Sequence, residues 1–191
     1  MMNEVDRLKK SGKWMVRFSR AGIGHGNYVH APIGEWAECP RWTDEKTCDG
    51  GGFFGQTMGA CGFSHDAPDI EIAEYKGEPK KIGGDKAAVR SMRIIARGQY
   101  AMDILAELCD GKWPGSINVS EGINCALTSI GGDAYIHEGV SVPALTSIGG
   151  GADIRDGVSL PALTSIGGYA YIHEGVSVPN LQTVKGKKYH A

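Results

Sequence analysis

Between positions 130 and 184 an aliphatic residue recurs at every sixth place without a gap or slip. The series is Ile130, Ile136, Val142, Ile148, Ile154, Leu160, Ile166, Ile172, Val178 and Val184. A longer period of 18 is superimposed on it, marked by Leu127, Leu145, Leu163 and Leu181. The three segments that open at Leu127, Leu145 and Leu163 all read L-T-S-I-G-G-x-A-x-I-x-x-G-V-S-x-P-x. Self-similarity at a fixed period is the signature of a solenoid, in which each repeat is covered by its neighbours and none is stable alone. The expected fold is therefore mainly β, with a parallel β-solenoid of about four 18-residue coils following an α+β head.

Residues 1–112 share nothing with the repeat and are expected to form that small α+β domain. The solenoid is expected over 113–186, with a polar tail at 187–191. Within the head, residues 14–18 (W-M-V-R-F) and 70–75 (I-E-I-A-E-Y) alternate apolar and polar side chains, as half-buried strands do. Residues 89–96 read as a further strand. Residues 99–109 place Ala101, Ile104, Leu105 and Leu108 on one helical face. Glycine clusters make 22–26, 83–85 and much of 40–66 turns or loops. Residues 119–127 match 136–145 with one residue deleted, which makes an irregular first coil at the head end.

In each six, a large aliphatic residue is followed four places later by a smaller one, such as Ala134, Val140, Thr146, Ala152, Val158 or Thr164. This pattern resembles the hexapeptide repeat of left-handed parallel β-helices, which is the preferred form. That resemblance puts Gly139, Gly157 and Gly175 at corners, where positive φ favours glycine. It also puts Leu127, Leu145, Leu163 and Leu181 at a solvent-facing corner, as an exposed apolar ridge of the kind that marks an interface. The sequence L-P-A-L-T-S-I-G-G also resembles leucine-rich, receptor-L-type and BspA-like repeats. There the leucine points into a compact right-handed coil, which is the alternative.

The head carries a resemblance of its own. The motif C-D-G-G-G-F-F-G beginning at Cys48, the strand at 70–75 and Gly84-Asp85-Lys86 before another strand resemble an uncharacterised domain of phage and bacterial proteins. Phe53-Phe54 stands where Leu-His is usual in it. Some domains of this shape resemble ADP-ribosyltransferases, so the resemblance implies an enzymatic alternative with the solenoid as targeting module.

Outward positions of successive coils form three columns. They are Tyr135, Asp153 and Tyr171; His137, Arg155 and His173; and Glu138, Asp156 and Glu174. Side by side, aromatic, cationic and acidic columns could grip a protein partner, and these nine are the candidate binding residues. No catalytic residue and no cofactor is indicated. His137 and His173 come from a duplicated unit, unlike the single histidine of hexapeptide acyltransferases. Cys39, Cys48, Cys61 and His65 lack the paired spacing of a zinc site, so no metal is expected.

Twenty Lys and Arg against 22 Asp and Glu give a net charge of −2, which does not indicate nucleic acid. Five scattered cysteines, no apolar leader and no membrane-length apolar run fit a cytoplasmic protein. The near-identity of 135–142 and 171–178 points to recent duplication. The functional expectation is a phage or mobile-element protein that binds a host defence effector, without enzymatic activity. Homo-oligomerisation through the leucine column is the structural alternative.

Overall fold

The computed structural model describes residues 3–23, 28–61, 69–83 and 86–190. His65, Gly84, Asp85 and the middle of the expected 22–26 turn lie outside the described residues. The head runs α1 (Glu4–Ser11), β1 (Trp14–Ser19), β2 (Trp36–Glu38), β3 (Phe53–Gly55), β4 (Asp69–Lys76), β5 (Lys80–Ile82), β6 (Lys86–Val89), β7 (Ser91–Arg97) and α2 (Gly98–Leu108). The coils follow with β8 (Lys112–Trp113), β9 (Ile117–Val119), β10 (Ser129–Ile130), β11 (Ala134–Ile136), β12 (Ser147–Ile148), β13 (Ala152–Ile154), β14 (Ser165–Ile166), β15 (Ala170–Ile172), β16 (Thr183–Val184) and β17 (Lys188–His190).

The head is an antiparallel sheet in the order β1-β4-β7-β2, with a smaller sheet β3-β6-β5 beside it. β4 is buried on both faces rather than one, because α2 covers one side and, on the other, Ala73 and Tyr75 pack with Met15, Phe53, Val89, Met92 and Ile94. The expected single strand at 89–96 is two strands. The chain breaks at Arg90, so β6 joins the small sheet and β7 the large one. α2 buries Ala101, Ile104, Leu105 and Leu108 as its periodicity requires, with Met102 and Ala106 beside them.

α1 was not expected. The Asn3 side chain accepts from the Asp6 amide at its start, and Gly12 (φ +63°) closes its end with an amide bond to the Leu8 carbonyl.

The repeats form a parallel β-solenoid of about four turns. Two five-stranded parallel sheets make two sides, in the orders β8-β10-β12-β14-β16 and β9-β11-β13-β15-β17. Single bridges from Asn124 to Ser141, Ser141 to Ser159 and Ser159 to Ser177 mark the third side. The hexad residues point inward, from Ile130 through Ile172, and Val178 and Val184 of the last coil are half-buried. Gly139, Gly157 and Gly175 turn corners at φ of +71°, +69° and +70°.

The leucine column overturns the exposed ridge. Leu127, Leu145 and Leu163 are fully buried, and Leu181 is half-buried against the same core. The reason lies in the turn before each leucine. Leu145 donates its amide to the Val142 carbonyl at 3.2 Å and Leu163 to the Leu160 carbonyl at 3.2 Å. These tight turns rotate the leucine inward and the next residue outward. The threonines that the hexad pattern would place inside therefore face out and bind backbone. Thr146 Oγ1 donates to the Thr128 carbonyl (2.8 Å), and Thr164 Oγ1 to the Thr146 carbonyl (3.0 Å). Inward leucine is the feature of the leucine-rich alternative.

Residues 188–190, expected as polar tail, add the last strand: β17 pairs with β15, Lys188 opposite Ala170 and Tyr189 opposite Tyr171.

One apolar core runs from α1, β1, β4 and α2 through Trp113 into the coils as far as Ile172. Trp14 and Trp113 meet with ring centroids 6.2 Å apart. Ser116 is bound from both sides, its carbonyl accepting from Gln56 Nε2 and Trp113 Nε1, its amide donating to the Cys61 carbonyl.

Leu163→Ala removes a fully buried side chain and is expected to cost about 2–5 kcal/mol of stability in urea unfolding. A surface leucine would cost close to nothing, so an unchanged unfolding midpoint would return the column to the surface.

Candidate functional site

The sheet of β9, β11, β13, β15 and β17 carries the expected columns. Tyr135, Asp153, Tyr171 and also Tyr189 stand in consecutive register, with Asn118 above them at the head end. Tyr171 and Tyr189 stack at 4.6 Å with planes 12° apart. Tyr169 meets Tyr171 edge-on at 5.4 Å. These three rings are between 37% and 41% exposed, and Tyr135 is half-buried.

Tyr169 reaches back across a coil because Gly151 leaves room for it. A Cβ on Gly151 would stand 2.5 Å from the Tyr169 ring. The amide of Gly151 is held by Asp133 Oδ1 at 2.6 Å. Hydrogen bonding to Tyr135, with burial and the nearby Asp133 and Asp153 charges, pushes the Tyr169 hydroxyl up to about 12.

The second column is tied to the first. Arg155 pairs with Asp153 Oδ2 at 3.1 Å, and His173 Nε2 lies 3.2 Å from Asp153 Oδ1. His173 Nδ1 lies 3.7 Å from Asp156 Oδ1. His137, Arg155, His173, Glu138 and Asp156 line a shallow recess of about 290 Å³ together with Glu121. Eight of the nine sequence-derived binding residues thus take part in these contacts or this recess, and Glu174 is exposed beside them. Tyr169, Tyr189 and Glu121 extend the face beyond what the sequence reading named. Leu127, Leu145, Leu163 and Leu181 do not contribute, since they belong to the core.

A second polar constellation lies in the head, where no sequence motif pointed. The pairing register sets Arg17 on β1 opposite Glu71 on β4, and Glu71 opposite Arg97 on β7. Glu71 accepts from Ser19 Oγ (2.9 Å) and Arg97 Nε (2.7 Å), and His30 Nδ1 stands 2.7 Å from its second oxygen. His30 Nε2 faces Arg17 at 3.0 Å. A guanidinium only donates, so Nε2 accepts and the ring proton sits on Nδ1, toward Glu71.

Burial works to raise the Glu71 carboxyl, but the His30 hydrogen bond, the Arg17 charge and the Arg97 hydrogen bond together hold it below its ordinary value. Burial lowers Arg17 to about 10. Arg17, His30, Ser19 and Glu71 are buried, and Arg97 alone is partly open. The cluster binds the 28–31 segment to the sheet instead of presenting groups to a substrate.

Three of the thiols are held in their protonated form by burial. Burial pushes Cys109 and Cys125 up to about 11 and raises Cys61. Cys39 accepts from the Gly52 amide. No group of three His, Cys, Asp or Glu among the described residues is placed to hold a metal ion. No helix among them is long and apolar enough to cross a membrane.

The glycine motif after Cys48 has a structural use. Lys80 is buried, stacks on Trp42 at 3.9 Å, and donates to the carbonyls of Thr43, Glu45 and Gly50 at 2.6–3.2 Å. No family model, curated protein or solved structure matches the chain.

Glu71 titrates below its ordinary 4.5, so its contribution is present above that value and is lost as pH falls through the lower folded-state value. Glu71→Gln leaves Arg17 and Arg97 without their carboxylate and is expected to cost about 3–5 kcal/mol at neutral pH. Its stability should also vary less with pH on the acid side than the wild type's. Equal acid dependence of the two proteins in a denaturant series from neutral pH to pH about 3 would contradict this reading.

Proposed function

We propose that this protein is a non-enzymatic binding protein whose recognition surface is the outward face of the β9–β17 sheet, and that its partner is a protein. The observation that carries the reading is the exposed tyrosine stack held in register beside the Asp153, Arg155 and His173 network. Tyrosine supplies large contact area at a small entropy cost, because it has only two side-chain torsions. The strand pairing beneath fixes the spacing of the columns before any partner arrives, which lowers the ordering cost of association.

The setting we infer is a host cytoplasm, with the protein encoded by a phage or mobile element and inhibiting a defence effector by occupying its surface. The near-identity of the coils at 135–142 and 171–178 supports recent duplication of the binding unit. End-to-end stacking of copies is less well supported, because Lys188 stands in the register of the buried Ala170 on the coil farthest from the head. A charge at an inward position is a common guard against edge-to-edge pairing.

Wild-type protein and the triple variant Tyr171→Ala, His173→Ala, Glu174→Ala are to be compared for capture of host proteins, after melting curves confirm that both are folded. The wild type is expected to retain a stoichiometric protein that the variant loses. Retention of the same partner in equal amount by both would remove the ladder face as the binding surface.

A further inference from the structure

The C-D-G-G-G run that begins at Cys48 belongs to a loop wrapped around one atom, Nζ of Lys80 at the start of β5. The carbonyl oxygens of Thr43, Glu45, Gly50 and Gly51 stand 2.6, 2.9, 3.2 and 3.4 Å from it. The Trp42 ring closes a further side, its centroid 3.9 Å away. Lys80 is 8% exposed, and no carboxylate among the described residues pairs with it. A buried ammonium is costly unless its charge is answered. Here carbonyl dipoles and an aromatic face answer it in place of an anion.

The sequence of the loop serves that arrangement. Gly51 has a φ of +68°, and a Cβ on it would stand 2.2 Å from the Arg41 carbonyl oxygen. A Cβ on Gly50 would stand 2.5 Å from the Glu45 carbonyl oxygen, itself one of the cage. Glycine is therefore what allows both carbonyls to turn toward one point. The Gly50 carbonyl also accepts from the Thr43 amide at 2.8 Å and from Thr43 Oγ1 at 3.2 Å, which closes the neck of the loop. Lys80 is the one donor among the described residues that reaches the carbonyls of Thr43, Glu45 and Gly51. Without a cation at their centre these dipoles would converge on an empty space.

We propose that residues 42–51 form a receptor for a primary ammonium group, which Lys80 fills from within the chain. The loop closes on the charge and not on the aliphatic stem. The geometry selects an ammonium among cationic groups. Its three N–H bonds radiate from one atom, as converging carbonyls require, whereas a guanidinium spreads its donors over a flat fork. Cutting the side chain back to Cβ removes Cγ, Cδ, Cε and Nζ, the same atoms that make up n-propylammonium. A free alkylammonium is thus the ligand class for the emptied site.

Hydrogen–deuterium exchange of residues 41–52 in the full chain reads loop closure, with β4 and α2 as internal controls. Lys80→Met keeps an aliphatic stem and removes the charge. It is expected to speed exchange of the loop at least about ten-fold and to leave the controls unchanged. Lys80→Ala is expected to do the same. Adding ~50 mM n-propylammonium chloride is expected to return its loop to within about two-fold of the wild type.

Two other solutes at the same concentration and ionic strength test what is recognised. 1-Propanol has the shape without the charge, and tetramethylammonium has the charge without N–H donors. Neither is expected to close the loop. Where a variant does not fold by itself, the reading is whether Lys80→Ala refolds in n-propylammonium and not in the other two. A loop unchanged in Lys80→Met would overturn the proposal, because the stem alone would then hold it. Failure of n-propylammonium to restore Lys80→Ala, or equal restoration by either control solute, would overturn it as well.

Discussion

Parallel, in-register stacking of one coil on the next is the constraint on which the other features depend. Each full coil turns inward a leucine, an isoleucine, an alanine, a second isoleucine and two further aliphatics. Leu145, Ile148, Ala152, Ile154, Val158 and Leu160 show the set. Burying each large member contributes roughly 1.5–3 kcal/mol, and the parallel ladders satisfy the backbone polar groups that burial would otherwise orphan. The stack is close enough to dictate sequence. A Cβ on Gly149 would lie 2.3 Å from the Gly131 carbonyl oxygen, and one on Gly167 would lie 2.0 Å from that of Gly149. The conserved spacing of I-G-G between coils is therefore a packing requirement.

A short stack has two ends to close, and this chain treats them differently. At the head end α2, Trp113 and Trp14 continue the apolar core, while Gln56 and Trp113 bind the Ser116 carbonyl. At the other end Val176, Val178, Leu181 and Val184 are only half-buried, and Lys188 occupies an inward register position. The tyrosine stack sits on the coils farthest from the head. Tyr189 rests on the last strand, so the aromatic part of the proposed binding face is also the part most exposed to fraying.

The fold class was legible because a period of six over ten aliphatics admits few structures. Column membership followed from the same periodicity, which is why Tyr135, Asp153 and Tyr171 were found in register. The direction of the leucines was not legible. The hexad pattern assigns the inside by counting, whereas a tight turn at 142–145 shifts the inward position by one residue. Tyr189 lies 18 residues after Tyr171 and could have been read from the repeat, but Lys188 and His190 on either side of it replace the repeat's Ala and Ile. Glu121 was legible too, since the match of 119–127 to 136–145 sets it opposite Glu138. α1 carried its signal openly, with Asn3 and Gly12 as caps, and the charged composition between them obscured it. The head cluster left no motif at all. Arg17, Glu71 and Arg97 become neighbours only through strand pairing across 26 to 80 positions of sequence, and His30 reaches them from a loop.

The central claim is that head and coils form one cooperative body that holds the outward columns in fixed register. Hydrogen–deuterium exchange of the full chain, followed by mass spectrometry, tests it most directly. The account expects the coils from Ile130 to Ile172 to be protected together with β4, β7 and α2, and the last coil to exchange first. Rapid exchange throughout the coils while the head stays protected would contradict it, because a surface without fixed register could not present its columns.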